Sequence, residues 1–444
     1  MLFLLLACTP EPPSSSPDEA ETEWIVGIDV STSALIPTAL EVRFSSAEKA
    51  QGWVEFGGEG ADVFTSPITA AGTQHVAAVI GSLPLTEVTM RVVIEVDGTR
   101  HESGTFTAET GQNLPETPVP EVMLNNYTDA PEGMQLLMSL FGSVNYLVMM
   151  DLEGNITWSL PQGLADVYGG LGVEPVESGI RYNLFEIGKG ATATLEHIDF
   201  LGNPIATVET DDAHHFFTIG PQDELVWLEH DLRLYNGTEI AGDVVMQRDA
   251  AGTESVLFSH WDSFTLPQSG QAFIDWTHAN WIDWDPARGS YLLSNAFTNT
   301  IAELDADGTP LRIMGGPGAV DSEYIFDRFE SAFEYPHGPH WTDNGDLLVF
   351  STVDKVSRVS RYTVDDELMI MTEVWSYGAE YAYEALWLGE TQELPDGNIL
   401  ISWGSVGLLQ IVSPSGELLW EAAAPFQSFF NQVHPMRDPY TPWM

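Results

Sequence analysis

Eleven histidines punctuate the 444-residue sequence, and three of them share a placement. His215 stands eight residues before Asp223, and His337 stands eight residues before Gly345. Asp223 and Gly345 hold the same position in a recurring turn that enters an apolar strand. Gln222-Asp223-Glu224-Leu225-Val226-Trp227 and Asn344-Gly345-Asp346-Leu347-Leu348-Val349-Phe350 show it, as does Asp396-Gly397-Asn398-Ile399-Leu400-Ile401-Ser402-Trp403. His278 opens the corresponding strand of the repeat between them. Matching positions on the innermost strands of a radial repeat face the axis at one mouth, so His215, His278 and His337 are expected to converge on one pocket. Neutral imidazole is a nucleophile and a base near pH 7. Three together can carry a transferred group, hold an anion, or form a His₃ metal site. A single channel histidine is usually a satisfied polar plug, and it is the recurrence that favours function. His214 and His340 join the cluster or point away, because neighbours on a strand alternate faces. His75, His101, His197, His230, His260 and His434 lack this placement and read as surface or packing residues.

Other chemistries find little support. There is no Gly-x-Ser-x-Gly elbow, no phosphate loop and no dinucleotide fingerprint. Cys8 is the single cysteine, so neither an intramolecular disulfide nor a Cys-paired zinc site is available. His337-x-x-His340 is a weak metal pattern, since i and i+3 diverge on a strand, and no metal or cofactor is assigned. No Asp-x-Asp-x-Asp-Gly calcium loop occurs. With 66 acidic and 15 basic residues the net charge is -51, which excludes a nucleic-acid footprint and repels anionic membranes.

The elements that carry the histidines are strands. The chain is 44% hydrophobic, with 14 Trp, 13 Tyr and 21 Phe, and it has no sustained helical periodicity. A turn of the form Asp-x-x-Gly starts at Asp151, Asp199, Asp249 and Asp305, with variants at Asp365 and Ser413, so the spacings are 48, 50, 56, 60 and 48. A period near 50 residues with several short strands predicts a β-propeller of six four-stranded blades over 123–444. In one unit the turns divide the strands at 278–285, 290–296, 300–304 and 310–314. The fold class is therefore all-β.

Before the propeller, residues 24–110 hold about seven short strand-like runs. Ala39-Leu40-Glu41-Val42-Arg43-Phe44 and the run 89–96 alternate, while Val76-Ala77-Ala78-Val79-Ile80 is continuously apolar and reads as a more buried strand. The segment resembles a small fibronectin-III-like β-sandwich, and 111–122 reads as a linker. Leu5-Leu6-Ala7-Cys8 resembles a bacterial lipobox, although the apolar run before it is short and lacks a basic leader. The Pro/Ser/acidic stretch 9–23 that follows reads as a tether. The expectation is a cell-envelope protein held to a membrane only by lipid on Cys8.

Asp275-Trp276-Thr277-His278-Ala279-Asn280-Trp281, Pro336-His337-Gly338-Pro339-His340-Trp341 and Leu394-Pro395-Asp396-Gly397-Asn398 with Trp403-Gly404 resemble, in order and spacing, the bacterial arylsulfotransferase family. The resemblance implies that a histidine takes the sulfuryl group from an aryl sulfate and passes it to a phenol, without a nucleotide donor. It implies His337 as the nucleophile, with His278 and His215 holding the sulfate oxygens and assisting proton transfer. Two departures stand out. The family's Ser-x-Arg reads Ser294-Asn295-Ala296 here, and its Gln before the nucleophile is Pro336. Alanine offers no guanidinium clamp for sulfate. The alternative is a non-catalytic surface propeller that binds through rim loops such as 321–334. The acceptor phenol and the oligomeric state are left open.

Overall fold

The computed structural model describes residues 24–57, 63–131, 133–164, 168–185, 192–266 and 275–443. The lipoprotein-signal reading at 1–8 and the tether reading at 9–23 lie outside the described residues.

Six antiparallel blades close into a ring. The second blade comprises Tyr168–Val176, Gly179–Phe185, Thr192–Ile198 and Pro204–Asp211. The third comprises Ala213–Ile219, Leu225–Tyr235, Thr238–Arg248 and Glu254–Ser259. The fourth comprises Ala279–Asp285, Ser290–Asn295, Thr300–Asp305 and Pro310–Gly315, within a residue of the bounds read from its turns. The fifth comprises His337–Trp341, Leu347–Val353, Val356–Asp365 and Ile370–Tyr377, and the sixth Glu390–Glu393, Ile399–Ser402, Leu408–Val412 and Leu418–Ala423.

The first blade is composite. Gln135–Phe141, Val144–Asp151 and Ile156–Leu164 take Phe429–Asp438 as their innermost strand. Glu121–Asn125 pairs with the outer strand of the sixth blade. Two pairings distant in sequence thus close the ring. The innermost strands of successive blades are neighbours around the axis.

The repeated turn has a side-chain cause. Asp151, Asp199, Asp249 and Asp305 each accept, through Oδ1, the backbone N–H groups two and four residues on. Each one caps the hairpin between the third and fourth strands of its blade. Gly308 closes one such turn at φ 78°, and a Cβ there would lie 2.1 Å from the Leu257 carbonyl oxygen. Only glycine satisfies both demands.

In the N-terminal part, the long strand Leu40–Gly57 serves two sets of partners. Its first half pairs with Ile25–Thr32 and Gly72–Val79, and its second half with Glu87–Val96. Its apolar side, with Val42, Phe44 and Val54, forms one cluster with Leu137, Met149, Trp158 and Tyr440 of the propeller. Tyr440 adds polar ties there, donating to the Ala78 carbonyl at 2.8 Å and accepting from Ile80 N–H at 3.1 Å. The expected buried run at 76–80 is corrected. Gly72–Val79 is an edge strand that alternates faces, with Val76 48% exposed while Ala77 and Val79 are buried. Among the described residues no helix is long and apolar enough to cross a membrane.

Candidate active site

His215, His278 and His337 lie at the same end of adjacent innermost strands, in the third, fourth and fifth blades. The pairing slips beside each of them. Bulges fall between His214 and Phe217, between Ala279 and Trp281, and between His337 and His340. A bulge re-aims side chains that strict alternation would send to opposite faces. His215 at φ 53° and His278 at φ 47° take the left-handed conformation, which a non-glycine residue holds at a penalty of about 1 kcal/mol or more. His278 precedes its strand rather than opening it.

The rings of His215 and His278 meet edge to face, with centroids 4.9 Å apart. His337 is buried against Phe216 and Trp281, at centroid distances of 5.6 and 5.9 Å. It stands close enough for a proton on it to disfavour one on His215, and for the charge of His278 to bear on it.

The environments separate the three chemically. Burial pushes His337 down to about 3, with the Gly389 backbone carbonyl opposing and the charge of His278 adding to the fall. Its ring is therefore neutral at pH 7, and its Nδ1 is buried without a hydrogen-bond partner. Burial, and then the nearness of the His278, His214 and His337 rings, hold His215 well below the ordinary histidine range. His278 goes the other way. Burial lowers it, but the hydrogen bond and charge of Asp275, with Asp243 behind them, raise it above its usual value. Its Nδ1 lies 2.5 Å from Asp275 Oδ2, and its outer face stacks on Phe297 at 4.5 Å. His278 is thus the ring of the three on which a positive charge is favoured.

Behind His215 lies a polar network that spacing alone did not isolate. Asp243, fully buried on Thr238–Arg248, has Oδ1 3.2 Å from His214 Nε2. Its Oδ2 accepts from the Thr277 hydroxyl and the Ala279 N–H, each at 2.6 Å. Burial pushes its carboxyl up, but the His214 hydrogen bond, the neighbouring His214 and His260 rings and the Thr277 hydroxyl outweigh it and hold the group below the ordinary carboxylate range. The Nδ1 atoms of His214 and His215 are 2.8 Å apart. His260, wholly buried, donates from Nδ1 to the Asp243 carbonyl at 2.7 Å, and His230 stacks on His214 at 4.0 Å. His230 and His260 therefore support the site rather than serving only as surface or packing residues. The signal for the network was a lone carboxylate inside the apolar run Ile240-Ala241-Gly242-Asp243-Val244-Val245, which burial obliges to find partners.

His214, His230 and Asp243 also place ligand atoms within 4.8 Å of one another. The His214 and His230 rings stack at 28°, so their in-plane lone pairs run side by side rather than towards one point. Further along the innermost strands, Glu174, Asp283 and Glu390 come from the second, fourth and sixth blades. Burial pushes Asp283 up to about 7, and burial with mutual repulsion carries Glu174 and Glu390 well above the carboxylate range. Burial thus favours a proton on each of these acids, which lowers the negative charge along the channel. A cleft of about 610 Å³ lies elsewhere, between the N-terminal part and the first and sixth blades, beside Phe64, Tyr127 and Gln135.

A six-bladed all-β ring with histidines gathered at one end of its innermost strands defines the class. The chain belongs to the arylsulfotransferase (ASST) family, whose pattern matches residues 121–425. No curated protein matches it. Among solved structures it is similar to a Bacteroides caccae protein of unknown function, at 14% identity over 70% of this chain and 100% of that one, TM-score 0.45. It is also similar to the Pseudomonas aeruginosa periplasmic gluconolactonase PpgL, at 10% identity over 87% and 98% with TM-score 0.39. Virginiamycin B lyase from Staphylococcus aureus follows at 14% identity over 57% and 69%, TM-score 0.35.

Ala296 is buried beside the site, its N–H donating to the His278 carbonyl at 3.0 Å. The position where the family resemblance implies arginine thus adjoins His278. The charges bearing on the three rings are those of Asp243, Asp275 and the histidines themselves.

Proposed function

We propose that the protein transfers a sulfuryl group from an aryl sulfate to a phenol, through a sulfo-histidine on His337. The observation that carries this reading is the split among the rings: one buried imidazole held neutral, near another whose positive charge the Asp275 carboxylate favours, on a family-matched propeller. The His337 lone pair attacks sulfur, the S–O bond to the aryl oxygen breaks, and that oxygen leaves with the electron pair. An acceptor phenol then attacks the same sulfur, and the S–N pair returns to His337. The His278 imidazolium, fixed by Asp275, supports negative charge on the sulfuryl oxygens and takes over the charge that Ala296 does not supply. Phe297, 48% exposed and stacked on His278, adds aromatic surface beside the site where an aryl group would bind. The lipobox-like Leu5-Leu6-Ala7-Cys8 supports placing this activity at the cell envelope.

The test is release of p-nitrophenol from p-nitrophenyl sulfate on adding phenol, together with mass spectrometry of the chain trapped without acceptor. A sulfuryl group on the peptide carrying His337, absent in His337→Ala, is expected. An unmodified His337 with no turnover across several phenols would defeat the reading and leave the non-catalytic binding propeller.

A further inference from the structure

We propose that Asp243 is a positioning residue that sets the His215 tautomer through His214, leaving His215 Nε2 unprotonated as the base for the acceptor phenol. The inference rests on the sulfuryl-transfer reading and deepens it.

Each donor in this buried network must meet an acceptor. Ala279 N–H can only donate, and it shares Asp243 Oδ2 with the Thr277 hydroxyl. A carboxylate surrounded in this way accepts at both oxygens. His214 Nε2, 3.2 Å from Oδ1, must therefore carry a proton. With that one ring proton placed on Nε2, His214 Nδ1 is bare and accepts, so the 2.8 Å contact takes a proton on His215 Nδ1. Neutral His215 is left with its lone pair on Nε2, on the ring that meets His278 edge to face. His214 is 6% exposed and stacked on His230, so its ring is not free to turn over.

The chemistry balances. The phenol O–H proton moves to His215 Nε2 as the phenol oxygen attacks sulfur, and the S–N electron pair returns to His337. The His215 proton then passes through solvent to the aryl oxide released in the first half-reaction. A base is needed only where the acceptor is an un-ionised phenol, so the relay serves the second half-reaction and spares the first.

Asp243→Asn reverses the relay. The amide oxygen stays with Thr277 and Ala279, and its NH₂ faces His214 Nε2. That forces a proton onto His214 Nδ1 and then onto His215 Nε2, so the base is lost with little change of shape. Transfer to phenol is expected to fall by on the order of 10²–10⁴-fold, while the first-turnover burst of p-nitrophenol falls far less. Acceptors already ionised at the assay pH should recover most of the lost rate. In the wild-type full chain with ¹⁵N-labelled histidine, ring ¹H–¹⁵N correlations at pH 7.5 are expected to show protons on His215 Nδ1 and His214 Nε2. A proton on His215 Nε2 in the wild type overturns the proposal, and this measurement decides it even where Asp243→Asn does not fold. Equal losses for ionised and un-ionised phenols overturn it too. Absence of any burst from the wild type defeats the transferase reading instead, and the ring spectrum still judges the relay.

Discussion

Asp275→Asn removes one charge and keeps the shape of the side chain that holds His278. In the native protein the Asp275 carboxylate, 2.5 Å from His278 Nδ1, keeps that ring above its ordinary titration point against the opposing effect of burial. With the carboxylate neutralised, burial, already the largest single influence on the ring, is opposed by the charge of Asp243 alone, so the titration point of His278 falls and its positive charge is disfavoured. The consequence for rate follows from Coulomb's law. An imidazolium about 4 Å from a sulfuryl oxygen, at an effective dielectric near 20, contributes about 4 kcal/mol, roughly 10³-fold. The His278 side chain is 31% exposed, and solvent screening brings the expected loss nearer 10²-fold. The sign is set by His278 itself. Its charge is present below its raised titration point and is lost as pH climbs through it, so wild-type activity declines on the alkaline side. In Asp275→Asn that decline moves to lower pH, and the gap to wild type narrows as the medium is acidified. The assay is kcat/KM for p-nitrophenyl sulfate with saturating phenol between pH 5 and 9. A rate within threefold of wild type at pH 7, with an unmoved alkaline limb, would refute the assignment of His278 as the charged ring.

Three further outcomes are expected. His337 is pushed down to about 3 in the fold, against about 6.5 unfolded, so the unfolded chain binds the extra proton between those values. Stability should fall by about 1.4 kcal/mol per pH unit from this group as pH drops below 6.5, and urea unfolding should show a shallower dependence in His337→Gln. Asp283, pushed up to about 7, does the reverse. Asp283→Asn should raise the urea midpoint more at pH 8 than at pH 5, and an equal change at both would count against a buried, proton-bearing acid. Phe430, fully buried on the strand that completes the first blade, should lose about 3–5 kcal/mol on replacement by alanine. A loss under 1 kcal/mol by denaturant titration would mean that the closing strand is loosely packed.

The blades were legible because their punctuation is chemical. An aspartate that caps its own hairpin through Oδ1 leaves a mark in the sequence wherever it recurs, and counting those marks recovers the strands of the fourth blade to within a residue. The spacing of His215 and His337 from the next turn was legible for the same reason. The closing partner of the first blade was not, because pairing between Phe429–Asp438 and Gln135–Phe141 depends on ring geometry and leaves no local pattern. The edge strand at Gly72–Val79 misled because a continuous run of apolar residues describes composition, whereas exposure depends on which side of the strand has a neighbour. The network behind His215 escaped notice because Asp243 and the histidine it holds sit 29 residues apart on different strands. The bulges decided which ring faces where, and a bulge is a slip in pairing that neither strand's sequence announces by itself.

The composite first blade also sets a schedule. Its three outer strands are made by residue 164, yet the strand that lies between them and the axis begins at residue 429. At a synthesis rate of about 5–20 residues per second, Gln135–Phe141 waits on the order of 15–60 s with one edge unpaired. An unpaired edge of buried apolar residues invites pairing with another chain, and here it is carried on a polypeptide with a net charge of -51. Like-charge repulsion between such acidic chains opposes that pairing, so a composition that says little about catalysis favours the edge meeting its own distant strand.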